Sequence, residues 1–127
     1  MVRRHTPSLS FEVFPPNPAV GNDKIFQALR EMQDLAPHFI SVTASNNKFD
    51  IEETTVRLTE FIANDLKIPT IAHLPAVYLT KDMVSNILQS LDRVGVHQIL
   101  ALRGDIFPDV APKDDFTYAT DLIEYIK

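Results

Sequence analysis

Four short apolar runs in this chain each end on a residue that can do chemistry: Glu12 in SLSFEVFPP, Thr43 in HFISVT, His73 in IPTIAHL, and Arg103-Gly104-Asp105 after VHQILAL. Glu12 sits among Phe11, Val13 and Phe14. A carboxylate on a strand covered on both faces loses solvation, which raises its pKa and lets it carry a proton near neutral pH. His73 offers an imidazole that titrates near neutrality, Thr43 a hydroxyl, and Asp105 a second carboxylate beside a guanidinium. Each residue also has a purely structural reading. Glu12 could face solvent on an edge strand or pair with a lysine, Thr43 could be a β-branched strand residue, and His73 could be a core histidine bonded to a backbone carbonyl. The RGD group could be a turn in which Gly104 supplies an unusual backbone angle. His5, His38 and His97 fall at the terminus or near strand beginnings, so no metal-ligand cluster forms with His73 and no metal site is expected.

The elements that must position these residues alternate. Strands are expected at 8–14, 38–43, 68–74 and 96–102, the first stopped by Pro15-Pro16, which lack backbone donors. Helical spacing follows each one. Ile25, Phe26, Leu29, Met32 and Leu35 make a stripe over 23–36, with Asn22 or Asp23 as cap, and Ile51, Val56, Leu58, Phe61 and Ile62 make another over 51–65. Thr80 caps a third helix through Arg93, with Met83, Val84, Ile87, Leu88 and Leu91 inward and Gly95 at its end. A fourth begins near Thr117. Strict β/α alternation predicts an α/β fold with a parallel sheet and right-handed crossovers. In such sheets the strand C-terminal ends lie on one rim, where ligands bind. The four polar positions all fall there.

Composition narrows the function. The 127 residues suit one domain, and 45% hydrophobic residues supply a core. A net charge of −5, with no basic stripe beyond Arg3, Arg4 and His5, disfavours nucleic-acid binding. With no cysteine there is no disulfide or thiolate chemistry, and redox work would need a borrowed cofactor. No apolar run approaches the roughly 20 residues of a membrane span, and the N-terminus lacks a signal-peptide core. The expectation is a soluble cytoplasmic protein without a membrane partner.

The rim residues with their neighbours resemble the methylenetetrahydrofolate reductase family, flavoenzymes built on a (β/α)₈ barrel. The matching motifs are SFEVFPP at 10–16, FISVT at 39–43, AHL at 72–74, ALRGD at 101–105 and YATDL at 118–122. The resemblance implies that residues 1–127 are the N-terminal portion of a single catalytic barrel, its first four β/α units. It implies FAD-dependent reduction of methylenetetrahydrofolate to methyltetrahydrofolate by NADH or NADPH, in the one-carbon metabolism that feeds methionine synthesis. By the same resemblance Glu12 is the general acid that opens the methylene bridge, and Asp105 lies near flavin and pterin, where its charge tunes the one and stabilises a cationic form of the other. Thr43, His73, Arg103, Gly104, Asp105, Tyr118 and Ala119 fall on positions that contribute to the FAD site. Two departures stand out: Ala44-Ser45-Asn46 replaces a common Y-G-A, and Pro75 replaces the threonine of H-L-T, which should stiffen a loop there.

A full barrel takes roughly 250 residues, so these four units are half of one. A half-barrel exposes two sheet edges and an apolar inner face, and is expected to associate with the other half or with a second copy of itself. Three readings follow. The chain is a piece of a full-length reductase, or a self-associating flavin-binding half-barrel, or a different (β/α) enzyme or non-catalytic remnant in which Glu12 and Asp105 are structural.

Overall fold

Four parallel strands pair in chain order, β1 (Ser10–Val13), β2 (Phe39–Val42), β3 (Thr70–Pro75) and β4 (Gln98–Leu102). This is the parallel α/β sheet expected from the alternation, and it matches the half of a (β/α)₈ barrel that the family resemblance implies. The computed structural model describes residues 7–16, 21–44, 51–108 and 111–127, and the Arg3-Arg4-His5 group lies outside them. Register runs Glu12 opposite Ser41, Val42 opposite Ala72, and His73 opposite Leu100. Among the described residues β1 and β4 each have one neighbour, so both outer edges of the sheet are open there.

Alternation along the strands sorts the side chains into two faces. Val13, Ile40, Val42, Ala72 and Leu74 pack into the buried clusters under the helices, joined by the partly buried Phe11, Ile99 and Ala101. Ser10, Glu12, Ser41, Ile71, His73, Leu100 and Leu102 therefore point to the other face, the interior of a closed barrel. Leu100 and Leu102 remain 45% and 37% exposed there. Nothing among the described residues covers that part of the inner face.

The helices follow the expected stripes with local differences. Helix α1 (Asp23–Gln33) buries Leu29 and starts at Asn22, whose carbonyl accepts from the Phe26 N–H while its side chain makes no capping bond. Leu35 lies beyond the last turn and is exposed. Residues 52–65 form one continuous helical stretch, α2, made of a π segment Glu52–Val56, an α turn Arg57–Glu60 and a second π segment Phe61–Asp65. The wider winding brings more residues per turn to the sheet. Thr54, Thr55 and Thr59 join Val56, Leu58, Phe61 and Ile62 on the buried side, and the Phe61 ring stacks on Phe26 of α1 at 4.0 Å. Helix α3 (Lys81–Arg93) is capped by Thr80, whose hydroxyl accepts from the Met83 N–H, and ends before Gly95 at φ +80°. Helix α4 (Ala119–Ile126) starts two residues after Thr117. The Asp121 carboxylate accepts from the Thr117 and Tyr118 N–H groups and fixes that start. No helix of the described residues is long and apolar enough to cross a membrane.

Candidate functional site at the strand C-terminal rim

A cavity of about 370 Å³ opens at the C-terminal ends of the strands, lined in part by Glu12, Thr43, His73, Gly104 and Asp105. Five of the residues singled out from sequence therefore meet at one place. Each is delivered by a different backbone device. Glu12 is the penultimate residue of β1, and Pro15-Pro16 end the ladder just beyond it. Thr43 follows β2, where its N–H donates to the Val13 carbonyl at 3.0 Å and its own carbonyl accepts from the Thr55 hydroxyl of α2 at 3.1 Å. Thr55 of the π-wound helix thus ties α2 to the end of β2, a function that an aliphatic side chain would not supply.

His73 points inward from the middle of the sheet and is 4% exposed. Its Nε2 lies 3.7 Å from Glu12 Oε1, beyond hydrogen-bond reach, and has no hydrogen-bond partner among the described residues. Thr43 Oγ1 is likewise buried without a partner among them. Two orphaned polar atoms beside one cavity are unusual, because buried polar groups are normally satisfied. The His73 pKa lies below its ordinary 6.5, chiefly because burial disfavours the imidazolium, with Glu12 pulling the other way.

A lowered histidine pKa makes stability depend on pH with a definite sign. Between the folded-state pKa and about 6.5 the unfolded chain binds more protons than the folded one, so stability falls as pH drops through that window and this contribution levels off below it. Thermal midpoints between pH 7.5 and pH 5 should decline more steeply for the native chain than for His73→Gln. Parallel declines would show that His73 titrates alike in both states.

The loop after β4 completes the site. Gly104 adopts φ +92°, and a Cβ there would lie 3.0 Å from Pro75 Cβ and 3.2 Å from Val77 Cγ2. The backbone therefore runs hard against the 3₁₀ turn Ala76–Tyr78 that follows β3. The Val77 N–H donates to the Arg103 carbonyl at 3.0 Å, and the Lys113 N–H donates to the Val77 carbonyl at 2.6 Å. Lys81 N–H donates to the Asp115 carboxylate at 2.8 Å, which anchors the far end of the loop on α3.

A family model described as methylenetetrahydrofolate reductase matches residues 1–127. The chain belongs to the methylenetetrahydrofolate reductase family. It is 34% identical over 121 residues to the 5,10-methylenetetrahydrofolate reductase of Buchnera aphidicola subsp. Baizongia pistaciae, an alignment covering 94% of this chain and 40% of that protein. Against methylenetetrahydrofolate reductase 1 of Schizosaccharomyces pombe it is 30% identical over 122 residues, covering 93% of this chain and 20% of the relative. The Escherichia coli 5,10-methylenetetrahydrofolate reductase is 28% identical over 120 residues, with coverage of 94% and 40%. The chain thus spans about 40% of these bacterial relatives and about 20% of the yeast one.

Membership explains why the motifs converge, and the geometry refines what each contributes. Arg103, Tyr118 and Ala119, expected at the cofactor site, are not among the residues lining the cavity. Arg103 and Tyr118 are exposed, the Arg103 carbonyl is engaged by Val77, and Tyr118 is the N-cap of α4. Two expectations need correction. The Glu12 side chain is 54% exposed, so the desolvation expected of a strand covered on both faces is absent: helices cover only the outer face of β1. Pro75, expected to stiffen a loop, is the last residue of β3 opposite Leu102, and its ring forms the wall against which Gly104 packs. Of the Ala44-Ser45-Asn46 departure, Ala44 lines the cavity and the other two lie outside the described residues. Sequence reasoning missed Tyr78 and Phe107, whose rings also line the cavity and stack at 6.2 Å. The available signal was a buried-type aromatic with a polar tip five residues past His73.

Proposed function

We propose that this chain supplies the Glu12- and Asp105-bearing half of a barrel that binds FAD and reduces methylenetetrahydrofolate to methyltetrahydrofolate with NADH or NADPH. The observation that carries this reading is the pair of orphaned buried atoms, Thr43 Oγ1 and His73 Nε2, in residues that line one cavity with two carboxylates. A flat heterocycle bearing ring nitrogens and carbonyl oxygens would satisfy both atoms, and Phe107, Leu100 and Leu102 offer it apolar contact. The donor set therefore fits a flavin ring. When bound, FAD supplies hydride transfer between the nicotinamide and the folate.

The chain's own residues do the rest. Thr43 and His73 hold and orient the ring. Asp105 presents negative charge to the cavity, where it favours a cationic form of the folate. Glu12 donates the proton that lets the methylene-bridge nitrogen leave, a step that needs its carboxyl protonated and shielded. That shielding must come from whatever covers the inner face over β1. Arg103, Gly104, Tyr118 and Ala119, on the same rim, serve the remainder of the dinucleotide. The open edges of β1 and β4 and the exposed Leu100 and Leu102 support a partner that closes the barrel, either its second half or a second copy of the chain. Under this reading the protein works in cytoplasmic one-carbon metabolism that feeds methionine synthesis.

The test is visible absorbance of the purified chain after mixing with FAD and desalting, with its mass by light scattering. Retained flavin near one per chain or per pair is the expected result, with Thr43→Val weakening retention about tenfold, the worth of one buried hydrogen bond. If neither the chain alone nor a completed barrel containing it retains flavin, the reading is wrong.

A further inference from the structure

Among the described residues, no side chain hydrogen-bonds the Asp105 carboxylate, so its place in the cavity depends on the backbone that carries it. That backbone is held by a residue from the turn after β3. The Tyr78 hydroxyl donates to the Asp105 carbonyl at 2.6 Å and accepts from the Phe107 N–H at 3.0 Å. One oxygen thus bridges two backbone groups of the loop. Tyr78 is itself 6% exposed and sits on the 3₁₀ turn directly after β3. Its ring stacks on Phe107 at 6.2 Å with planes 20° apart, which adds lateral support.

We infer that Tyr78 is a positioning residue for Asp105: its hydroxyl pins the loop backbone at residues 105 and 107 and thereby sets where the carboxylate stands in the cavity. The neighbouring contacts make the hydroxyl decisive rather than redundant. Val77 holds the Arg103 carbonyl and Gly104 abuts Pro75, so the loop is fixed up to residue 104. Among the described residues the next backbone anchor is Lys113, bonded to Val77. Between these two points the hydroxyl of Tyr78 is the only hydrogen-bonding tie from the described residues to the backbone at 105–107. The donor and acceptor it engages are backbone groups, so no change of side chain in the loop can replace it.

The functional consequence rests on the reading of Asp105 as part of a flavin and folate site, but the positional claim does not. Tyr78→Phe keeps the ring, its stacking and its buried volume, and removes the oxygen alone. In the purified flavin-free chain, the Phe107 amide should then exchange with solvent about tenfold faster, the equivalent of one lost hydrogen bond. The Asp105 ¹³Cγ resonance should shift, while the Glu12 ¹³Cδ resonance on the opposite wall stays in place. With FAD bound, the change in flavin spectrum caused by Tyr78→Phe should largely vanish in an Asp105→Asn background, since a residue that acts through another is not additive with it. An unchanged Asp105 resonance, or spectral effects that simply add, would overturn the inference. If neither the chain nor a completed barrel containing it retains flavin, the proposed function fails while the exchange and ¹³C measurements still decide the role of Tyr78.

Discussion

Replacing Glu12 by glutamine in a complete barrel containing this chain is expected to abolish folate reduction while leaving flavin bound and its reduction by NAD(P)H largely intact. The two half-reactions part because only one of them needs a proton at the methylene bridge. Glutamine keeps the size and hydrogen-bonding reach of Glu12 but carries no acidic proton, so the loss should fall in the range of about 10²–10⁴ typical of a removed general acid. The setting of Glu12 supports the selectivity. Among the described residues its titratable contact is His73 Nε2 at 3.7 Å, and burial holds that imidazole toward its neutral form. A neutral neighbour leaves the glutamate free to cycle its proton, where an imidazolium would favour the carboxylate. Separate stopped-flow measurement of flavin reduction by NAD(P)H and of flavin reoxidation by the folate decides the matter. Equal loss in both would show that Glu12 serves the flavin site as a whole.

Gly104→Ala should be the most damaging single methyl in the loop. At φ +92° an L-residue is strained by about 1–3 kcal/mol. The added Cβ would also sit 3.0 Å from Pro75 Cβ, and Pro75 is buried in a strand end and cannot swing away. Gly95 provides an internal control. It has φ +80° and nothing within 4 Å of an added Cβ, so Gly95→Ala carries the backbone strain without the overlap. Urea denaturation should therefore place Gly104→Ala below Gly95→Ala by a further 1 kcal/mol or more, on the order of an overpacking penalty. Equal losses would mean that the loop shifts to make room. In that case Asp105 moves with it, and flavin retention should suffer instead.

The outer layer of this fold was legible because it obeys simple periodicities. Leu29, Val84, Ile87 and Leu91 repeat at helical spacing and are all buried, and the parallel pairing of the strands followed from β/α alternation, while their sequential order was implied only by the family resemblance. The rim was legible for a different reason: polar residues at the ends of apolar runs have few structural uses in common. Three things escaped. The π winding of α2 depends on hydrogen bonds that shift by one residue along an otherwise ordinary helical sequence, and it brings Thr55 to the Thr43 carbonyl without any apolar signature. Tyr78 reads as one more aromatic until its hydroxyl is seen between two backbone groups of a loop 27 residues away. The exposure of Glu12 was one of two readings its neighbours left open, because the covering of an inner face is decided by strands other than its own.

The strictly sequential order of the sheet has a consequence for how the chain is made. Each strand pairs with the one before it, so every strand emerging from the ribosome finds its partner already present. Loop closure spans only one crossover at a time, about 30 residues between paired positions such as Ser10 and Phe39 or Ile40 and Thr70. Local pairing of this kind favours fast folding, unit by unit, during synthesis. The last strand in place always offers the growing edge. β4 does so here with its ladder groups unpaired on one side, while β1 keeps its own free side from the first unit onward. Any nascent neighbour on the same polysome presents the same two edges, so the moment of greatest hazard for this architecture is translation itself.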